Sequence, residues 1–325
     1  MNATEADEPM GMLNNVFNVP ILKKPKVDTA QASASAEDED DILAKYKLEA
    51  SECVNIQLVT DAQQVKLKSS EYTFRPVYTH QIFREDESIF GYGRIDIQMF
   101  FAARDLYLYW TASLEDKIEE ASGLEVDDPV QQLQDQLHED VLEMGQTQDR
   151  QQFEAHLRDT KNAAMPGEKI ASITVASGKV YEVYTGRMED EAVRQLHARA
   201  QIFALFFIDG ASYIDDEDGE WIVYFVFEKR NDGSMLFAGY VTVYEYYAHP
   251  FQKRGRISQF VLLPPQQKSG LGTKLLAAIY QHGIETYGFV DFTVEDPSEG
   301  FQAVRDRLDG ARMLQVWRHE VAEGK

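Results

Sequence analysis

Hydrophobic and polar residues divide the chain into an irregular start followed by a region of mixed periodicity. Between residues 44 and 110, short apolar runs such as 95–101 alternate with polar positions, which is typical of β-strands. Residues 114–160 carry Leu at helical spacing among many Glu, Gln and Asp residues, and 167–184 return to strand-like Ile, Val, Thr and Tyr. The pattern predicts a mixed α+β domain over residues 43–188.

A second domain is predicted over residues 189–318. Val193, Leu196, Ala200 and Phe203 recur every three or four positions and predict one long amphipathic helix. The elements predicted after it are strands over 221–227, 236–247 and 256–263, a helix over 273–287 and a strand over 290–294. This order predicts a mostly antiparallel sheet flanked by helices.

Residues 1–42 have no hydrophobic period and end in the run Glu37, Asp38, Glu39, Asp40 and Asp41. Five adjacent carboxylates repel one another when packed, so the segment is predicted to be a disordered tail. It contains a short basic cluster, Lys23-Lys24-Pro25-Lys26, which is a candidate nuclear import signal.

The net charge of the chain indicates what kind of partner it binds. The 325 residues include 32 Lys and Arg against 55 Asp and Glu, a net charge of −23. Such acidity argues against a nucleic-acid backbone as the main partner and favours a cationic one, for which a lysine-rich peptide is the natural candidate. Acidic clusters at Glu85, Asp86 and Glu87 and at 215–218 are either solvated loops or part of that surface.

Several classes of protein are disfavoured. The apolar run 202–208 is far shorter than the roughly 20 residues of a membrane helix, and no apolar segment follows Met1, so an intracellular protein without membrane association is expected. The single cysteine, Cys53, closes no disulfide within the chain, and the seven histidines include no H-x-x-x-H pair. We therefore expect no metal.

The sharpest local motif follows a predicted strand and opens a predicted helix. It comprises Gln267, Lys268, Ser269, Gly270, Leu271, Gly272 and Thr273. The two glycines let the loop curl and present backbone N–H groups at the helix N-terminus, where the dipole favours an anion. Because Thr273 precedes Lys274, this is not a Walker A loop. It is either a phosphate cradle or an ordinary strand-to-helix turn.

Acidic residues at two points of the chain are candidates for proton transfer. Glu295 and Asp296 end the strand that follows the motif, where strand ends converge on a ligand crevice, so Glu295 is a candidate general base. Asp209 follows a very apolar stretch and would be paired or shifted in pKa if buried. The alternatives are a solvated strand end and an ordinary helix C-terminus.

The motifs together resemble a known family. They are Ile257-Ser258-Gln259-Phe260-Val261-Leu262-Leu263-Pro264-Pro265, the loop 267–273, Val294-Glu295-Asp296-Pro297-Ser298 and Tyr240-Val241-Thr242-Val243-Tyr244-Glu245-Tyr246-Tyr247, with Thr79-His80-Gln81-Ile82-Phe83 near the start. Over residues 45–312 the chain resembles the catalytic subunits of type B histone acetyltransferases, in the GCN5-related N-acetyltransferase superfamily. The resemblance implies an acetyl-CoA-binding catalytic domain over 189–318 and a histone-binding domain over 43–188.

The resemblance also implies roles for residues. Phe260, Val261 and Leu262 would pair with the pantetheine arm of acetyl-CoA, the loop 267–273 would hold the pyrophosphate, and Ser298, Phe301 and Arg307 would contact the rest of CoA. Glu85, Asp86, Glu87, Tyr244, Glu245 and Tyr246 would contact the N-terminal tail of histone four. Glu295 would take the proton from the substrate lysine, with Asp296 and Asp209 tuning or sharing that role.

A WD-repeat β-propeller histone-binding subunit is the partner that the resemblance implies, with nuclear and cytoplasmic localisation. The chain departs from the family in having Asp209 where Glu is usual, and in ending about 30 residues after Glu295, so that the family's helical C-terminal segment is expected to be largely absent. Two alternatives stay open: an acetyltransferase for another basic protein or a polyamine, and a non-catalytic histone-binding module of the chaperone kind.

Overall fold

The computed structural model describes residues 43–68, 71–118 and 124–322 of the chain. The predicted tail over 1–42, with its basic cluster, lies outside the described residues. Within them, thirteen strands form a two-stranded, a five-stranded and a six-stranded sheet.

The first part of the described chain builds the two smaller sheets. Its strands are β1 (Lys47–Glu49), β2 (Val54–Val59), β3 (Thr73–Phe74), β4 (Ser88–Phe90), β5 (Tyr92–Ala102), β6 (Leu108–Lys117) and β7 (Gln146–Thr147). Its helices are α1 (Ala50–Cys53), α2 (Ala62–Leu67), α3 (Pro129–Asp135), α4 (Glu139–Met144) and α5 (Arg150–Asp159). The strand order is β3-β2-β5-β6-β7, with β1 paired to β4 in the separate small sheet.

The alternation predicted over 95–101 is the central strand, β5. Ile97, Met99 and Phe101 enter the main hydrophobic core, whereas Phe100 packs on the other face in a smaller cluster with Phe153 of α5. Opposite faces for neighbouring residues follow from the two-residue period of a strand, and both faces of this sheet are covered.

The rest of the chain builds the six-stranded sheet. Its strands are β8 (Glu168–Thr174), β9 (Val180–Arg187), β10 (Trp221–Lys229), β11 (Met235–Ala248), β12 (Gln252–Leu262) and β13 (Phe289–Val294), in the order β13-β12-β11-β10-β9-β8. Its helices are α6 (Glu191–Ala200), α7 (Ile202–Phe207), α8 (Leu271–Tyr287) and α9 (Glu299–Ala322), with a 3₁₀ turn at Pro264–Gln266.

Every neighbouring pair in this sheet is antiparallel except β12 and β13, which are parallel. Leu275 and Ile279 of α8 share a core with one face, whereas Phe203 of α7 joins the core on the other face. The predicted fold class, α+β with a mostly antiparallel sheet flanked by helices, is confirmed. The domain boundary at 188/189 stays a prediction, although β9, which precedes it, is hydrogen-bonded to β10, which follows it.

The prediction of a single long helix after residue 189 is wrong. It is divided into α6 and α7 at Gln201, where Ala204 N–H donates to Gln201 O at 2.9 Å, a bond one residue shorter than the α-helical pattern. Residues 202–206 of α7 are all buried, so this helix has no polar face to continue the amphipathic pattern of α6.

The feature that creates the site is a separation of β12 from β13. Their parallel pairing runs to Ile257 and Val294, and the Glu295 N–H then donates to Ile257 O at 2.9 Å. After that bond β12 continues to Leu262, still paired with β11, while the chain beyond Val294 turns away toward α9. One edge of β12 is therefore left facing a gap between strands and helices.

Candidate active site

A first cleft, which we call the loop cleft, opens along the free edge of β12 and the N-terminus of α8. It has a volume of about 500 Å³. Eleven of the thirteen predicted cofactor-binding residues line it, namely Phe260, Val261, Leu262, Gln267, Lys268, Gly270, Gly272, Thr273, Ser298, Phe301 and Arg307. The tertiary structure thus brings together three segments that the sequence separates.

The other two predicted residues shape the loop from behind. Ser269 Oγ donates to Gln266 O at 2.9 Å and accepts from the Leu271 N–H at 3.3 Å. The Leu271 side chain is fully buried in the core beneath α8. These contacts hold the first turn of the helix in place from inside the protein.

The backbone of the loop presents helix amides to the cleft. Lys268 and Gly270 have φ angles of 57° and 82°, in the left-handed region, so the chain curls immediately before α8. Gly270 at the N-cap supplies no side-chain cap, and a helix begins with N–H groups that have no partner within the helix. The turn therefore suits an anion, as the motif predicted.

Space at Gly272 provides a test of that fit. A Cβ added there would lie 3.6 Å from Leu262 Cδ1, with no heavy atom of another described element closer, which is ordinary van der Waals contact. The protein's own packing thus does not require glycine at this position. The open space in front of the helix N-terminus is instead suited to a phosphate that must approach the backbone closely.

The free edge of β12 supplies the long wall of the loop cleft. Val261 points into the core and is paired with Tyr240 of β11, while Phe260 packs against Phe301 of α9 with ring centroids 5.2 Å apart. The Gln267 side chain donates to Leu262 O at 2.8 Å, a contact that sequence reasoning missed. Lys268 and Arg307 are the charged residues of the lining, and both are cationic.

A second cleft, which we call the acidic cleft, has a volume of about 530 Å³. It contains all three predicted catalytic carboxylates, Glu295, Asp296 and Asp209, together with Asp215 and Asp218. Arg256 is the only cation in this lining, so the formal balance of the described residues there is −4. The acidic run 215–218, which the sequence offered either as a solvated loop or as part of a surface for a cationic partner, was the signal for the last two.

The two clefts adjoin. Phe207 lines the loop cleft and the next residue, Ile208, lines the acidic cleft. On β12, Phe260 lines the loop cleft and its neighbour Gln259 lines the acidic cleft. Glu295 lies at the branch point, because its N–H makes the bond at which β12 and β13 part. Asp296 follows with a φ angle of 34°, a strained conformation for a residue with a side chain, and such strain is common at functional sites.

Aromatic side chains form one wall of the acidic cleft. Trp221 and Tyr244 pair across β10 and β11 with their ring centroids 4.9 Å apart. Hydrogen bonding with Asp218 raises the pKa of the Tyr244 hydroxyl. Tyr246 lies on the same side of β11, beneath the guanidinium of Arg256 at 5.3 Å from its ring centroid.

Glu245 lies between these tyrosines in sequence but on the opposite face of the sheet. It is only 6% exposed, and its carboxylate accepts from Arg187 Nη2 at 2.6 Å and pairs with Lys253. Burial alone would raise the pKa of Glu245, but these two cations outweigh it and lower the pKa. Alternation along a strand sends its side chain away from the acidic cleft, and its role as a tail contact stays a prediction.

The predicted acidic contacts near residue 86 are divided among different partners. Asp86 pairs with Lys47 at 2.6 Å and accepts from Ser88, which together lower its pKa to about 2. The Glu87 carboxylate lies 3.3 Å from His80 Nδ1, and Glu85 is exposed. Of the three, the structure connects only Glu87 to the acidic cleft, through His80, which is 3.4 Å from Asp209.

No sulfur nucleophile lies at either cleft. Cys53 is 4% exposed, and burial raises its pKa to about 11. Its prediction as a small buried residue is confirmed. In the described part of the chain, no three His, Cys, Asp or Glu side chains are arranged to hold a metal ion, and no helix there is long and apolar enough to cross a membrane.

Comparison with known proteins identifies the family. Residues 46–209, half of the chain, match the family model described as histone acetyl transferase HAT1 N-terminus. The chain belongs to the type B histone acetyltransferase catalytic subunits. Residues 183–304, which contain both clefts apart from the end of the lining in α9, match the acetyltransferase (GNAT) family.

Curated members of this family are similar over most of the chain. A type B catalytic subunit from Dictyostelium discoideum is 33% identical over 293 residues, covering 80% of this chain and 60% of its own. The subunit from Rattus norvegicus is 32% identical over 273 residues, covering 81% and 64%. The chain therefore spans about three fifths of the length of these relatives.

Among solved structures, an aminoglycoside acetyltransferase from an uncultured soil metagenomic sample aligns with 40% of this chain and 86% of its own. The sequence identity is 17% and the TM-score is 0.30.

Proposed function

We propose that this protein is a lysine N-acetyltransferase that transfers the acetyl group of acetyl-CoA to the N-terminal tail of histone four. The observation that carries the proposal is the adjacency of the two clefts. One is lined by cations and helix amides and suits an anionic donor; the other is acidic and suits a cationic acceptor. Glu295 stands at their junction.

The loop cleft has the chemistry to hold acetyl-CoA. The amides of the loop 267–273, with Lys268 and Arg307, would bind its phosphates, and the free edge of β12 at Phe260 and Leu262 would align its amide-containing arm as an added strand aligns. When bound, acetyl-CoA supplies an acyl group activated as a thioester.

The acidic cleft has the chemistry to receive a protonated lysine. Asp209, Asp215 and Asp218 attract the ammonium group, and the rings of Tyr244 and Trp221 suit its aliphatic stem. A lysine of pKa about 10.4 is cationic at pH 7, which lies about 3.4 pH units below that pKa, so releasing its proton at pH 7 costs roughly 4.6 kcal/mol.

Glu295 would perform that step. Its carboxylate accepts a proton from the ammonium group directly or through water, the N–H bond breaks, and the freed lone pair attacks the thioester carbonyl carbon. The new C–N bond forms as the C–S bond breaks, the nitrogen loses a second proton to become a neutral amide, and the sulfur leaves as a thiolate that takes up that proton. Asp296 and Asp209 keep the cation in place beside Glu295.

The test is transfer of labelled acetyl from acetyl-CoA to a histone four tail peptide, with a polyamine as competing acceptor. The chain should label the peptide, and Glu295→Gln should lower kcat about 100- to 10,000-fold without weakening acetyl-CoA binding. Glu285→Gln, the same change on the far part of α8, is the control and should keep parental activity. A parent that binds the peptide but transfers nothing would support a histone-binding module instead.

We further propose that the protein works with a WD-repeat β-propeller histone-binding subunit. The resemblance supports this partner, and the curated relatives are themselves named catalytic subunits. Co-expression should give a complex of one copy of each chain that survives gel filtration. Separate elution of the two chains at micromolar concentration would contradict the proposal.

We propose nuclear and cytoplasmic localisation, supported by the basic cluster Lys23-Lys24-Pro25-Lys26. Changing its three lysines to alanine should reduce the nuclear fraction of a fluorescently tagged chain. An unchanged nuclear fraction would show that the cluster is not an import signal.

A further inference from the structure

A histidine joins the predicted tail-binding segment to the acidic cleft. His80 Nδ1 lies 3.3 Å from Glu87 Oε1, and its Nε2 lies 3.4 Å from Asp209 Oδ1. The two carboxylates are 122 positions apart in the chain (209 minus 87), and the His80 ring contacts both of them. Tyr78 packs edge-on against the ring at a centroid distance of 6.0 Å, and the Thr79 hydroxyl donates to Glu87 at 3.4 Å.

The segment that carries His80 is held against the wall of the acidic cleft by its backbone. The N–H groups of Val77 and Tyr78 both donate to Phe206 O at 3.0 Å, and the Gln81 side chain donates to Ala211 O. These bonds flank Asp209 on both sides in sequence. The position of the imidazole relative to Asp209 is therefore set by main-chain contacts and does not depend on the two side chains alone.

Asp209 needs such support. Its side chain is 71% exposed, whereas those of His80 and Glu87 are 27% and 34% exposed. Within the described residues, His80 is the basic side chain found within 4 Å of the Asp209 carboxylate. An exposed aspartate without a fixed partner samples several rotamers, and only some of them turn the carboxylate toward the acceptor.

We propose that His80 is a positioning residue, which orients Asp209 in the acidic cleft through Nε2 while Nδ1 binds Glu87. This inference rests on the proposed function, because it assigns His80 a part in presenting the acceptor lysine to Glu295. Engagement of the histone tail by the segment around Glu87 is thereby coupled to the orientation of a carboxylate at the reaction site.

Two substitutions separate the contacts of the ring. The amide of His80→Gln reaches the place of Nε2 and can still donate to Asp209, whereas the amide of His80→Asn reaches only the place of Nδ1 and keeps Glu87. We expect His80→Asn to lower kcat about tenfold with less than a twofold change in KM for acetyl-CoA. His80→Gln should recover kcat to within about threefold of the parent.

A double-mutant cycle tests whether His80 acts through Asp209. If it does, His80→Asn in the Asp209→Asn background should lower kcat by less than about twofold further. His156→Asn is the matched control, since His156 also contacts a carboxylate, Asp105, at 2.7 Å with 24% of its side chain exposed, but lines neither cleft. It should leave kcat within about twofold of the parent.

The outcomes are distinct. The positioning role would be overturned if His80→Asn had the kcat of the parent, or if the Gln and Asn variants lost kcat equally. It would also be overturned if the losses of kcat caused by His80→Asn and Asp209→Asn multiplied in the double variant. Urea unfolding of every variant separates these results from misfolding, because kcat is compared only between variants that retain the parental transition. A parent chain without any transfer activity would overturn the proposed function as well, whereas an active parent with an indifferent His80 overturns this inference alone.

Discussion

The two clefts differ in charge and in how the chain builds them. The loop cleft is lined by two cations and no carboxylate, and most of its binding groups come from one continuous stretch, 260–273. The acidic cleft has five carboxylates and one guanidinium, drawn from the turn after α7, the loop before β10, the strand β12 and the turn after β13. One is a local motif, and the other is an assembly of distant side chains.

This difference gives each cleft its own sensitivity. A cleft that binds through backbone N–H groups depends on chain conformation and open space, so few charge substitutions affect it. A cleft that binds through carboxylates depends on the faces to which separate strands direct their residues, and it responds to salt and to charge substitutions. Variants that affect one cleft without the other test this distinction.

After the loss of kcat expected for Glu295→Gln, the largest expected effect concerns the loop cleft. Gly272→Ala should weaken acetyl-CoA binding roughly 10- to 100-fold, because a methyl group would occupy the space in which a phosphate accepts from the helix amides. Calorimetric titration measures the affinity. Unfolding stability should stay equal or rise by up to about 1 kcal/mol, because alanine favours a helix.

Gly310→Ala is the matched control for that variant. Gly310 also lies in a helix, α9, and a Cβ there meets no heavy atom within 4 Å. It should show the gain in stability without any loss of affinity. Equal affinities for the two alanine variants would mean that Gly272 leaves no space for the donor.

A neighbouring pair on β11 tests the assignment of faces. Tyr244→Ala should raise KM for the peptide about tenfold, because the ring lines the acidic cleft. Glu245→Ala should instead lower the free energy of unfolding by about 2 kcal/mol, because Arg187 and Lys253 lose a buried partner. A rise in peptide KM for the glutamate variant that matches the tyrosine variant would contradict the structure.

Behind the acidic cleft, pH should reveal a buried histidine. His197 is fully buried beside Tyr240, no hydrogen-bond partner for either ring nitrogen lies among the described residues, and burial lowers its pKa from 6.5 to about 3. The unfolded chain therefore takes up this proton below pH 6.5 and the folded chain does not, so stability falls as the pH drops from 6.5 toward 3.

Between pH 7.5 and 5 this histidine should remove about 2 kcal/mol from the free energy of unfolding. Urea unfolding of the parent and of His197→Leu at both pH values measures it, since other titrating groups contribute to both proteins. Equal pH slopes in the two proteins would show that His197 takes up its proton in the folded state.

The smallest expected effect concerns the rim of the acidic cleft. Asp215→Asn with Asp218→Asn should raise peptide KM about fivefold at low salt and less at 0.5 M salt, because screening weakens the contribution of both charges. Glu217→Gln, an exposed change in the same loop but outside the cleft lining, is the control. An increase in peptide KM that does not depend on salt, or an equal increase in the control, would show that the charges of Asp215 and Asp218 do not attract the peptide.

Predictability from sequence follows the same division. The loop 267–273 was recognised because its glycines, the preceding strand and the following helix lie within one short stretch, where local rules suffice. Asp215 and Asp218 were recognised only as part of an acidic cluster that suits a cationic partner, and Trp221 was missed, because nothing in their own segment reveals that they line one cleft with Glu295. Glu245 was grouped with Tyr244 and Tyr246, although neighbours on a strand necessarily point to opposite faces.

The amino-acid sequence by itself determined the alternating strands, the curled helix start and the acidic balance, because each depends on near neighbours or on totals. Tertiary structure alone decided that β12 and β13 part after Ile257, that α6 and α7 divide at Gln201, and that His80 bridges Glu87 to Asp209. The physical reason is that contacts between residues far apart in the chain form only when separate elements pack, and no local pattern records which elements those will be.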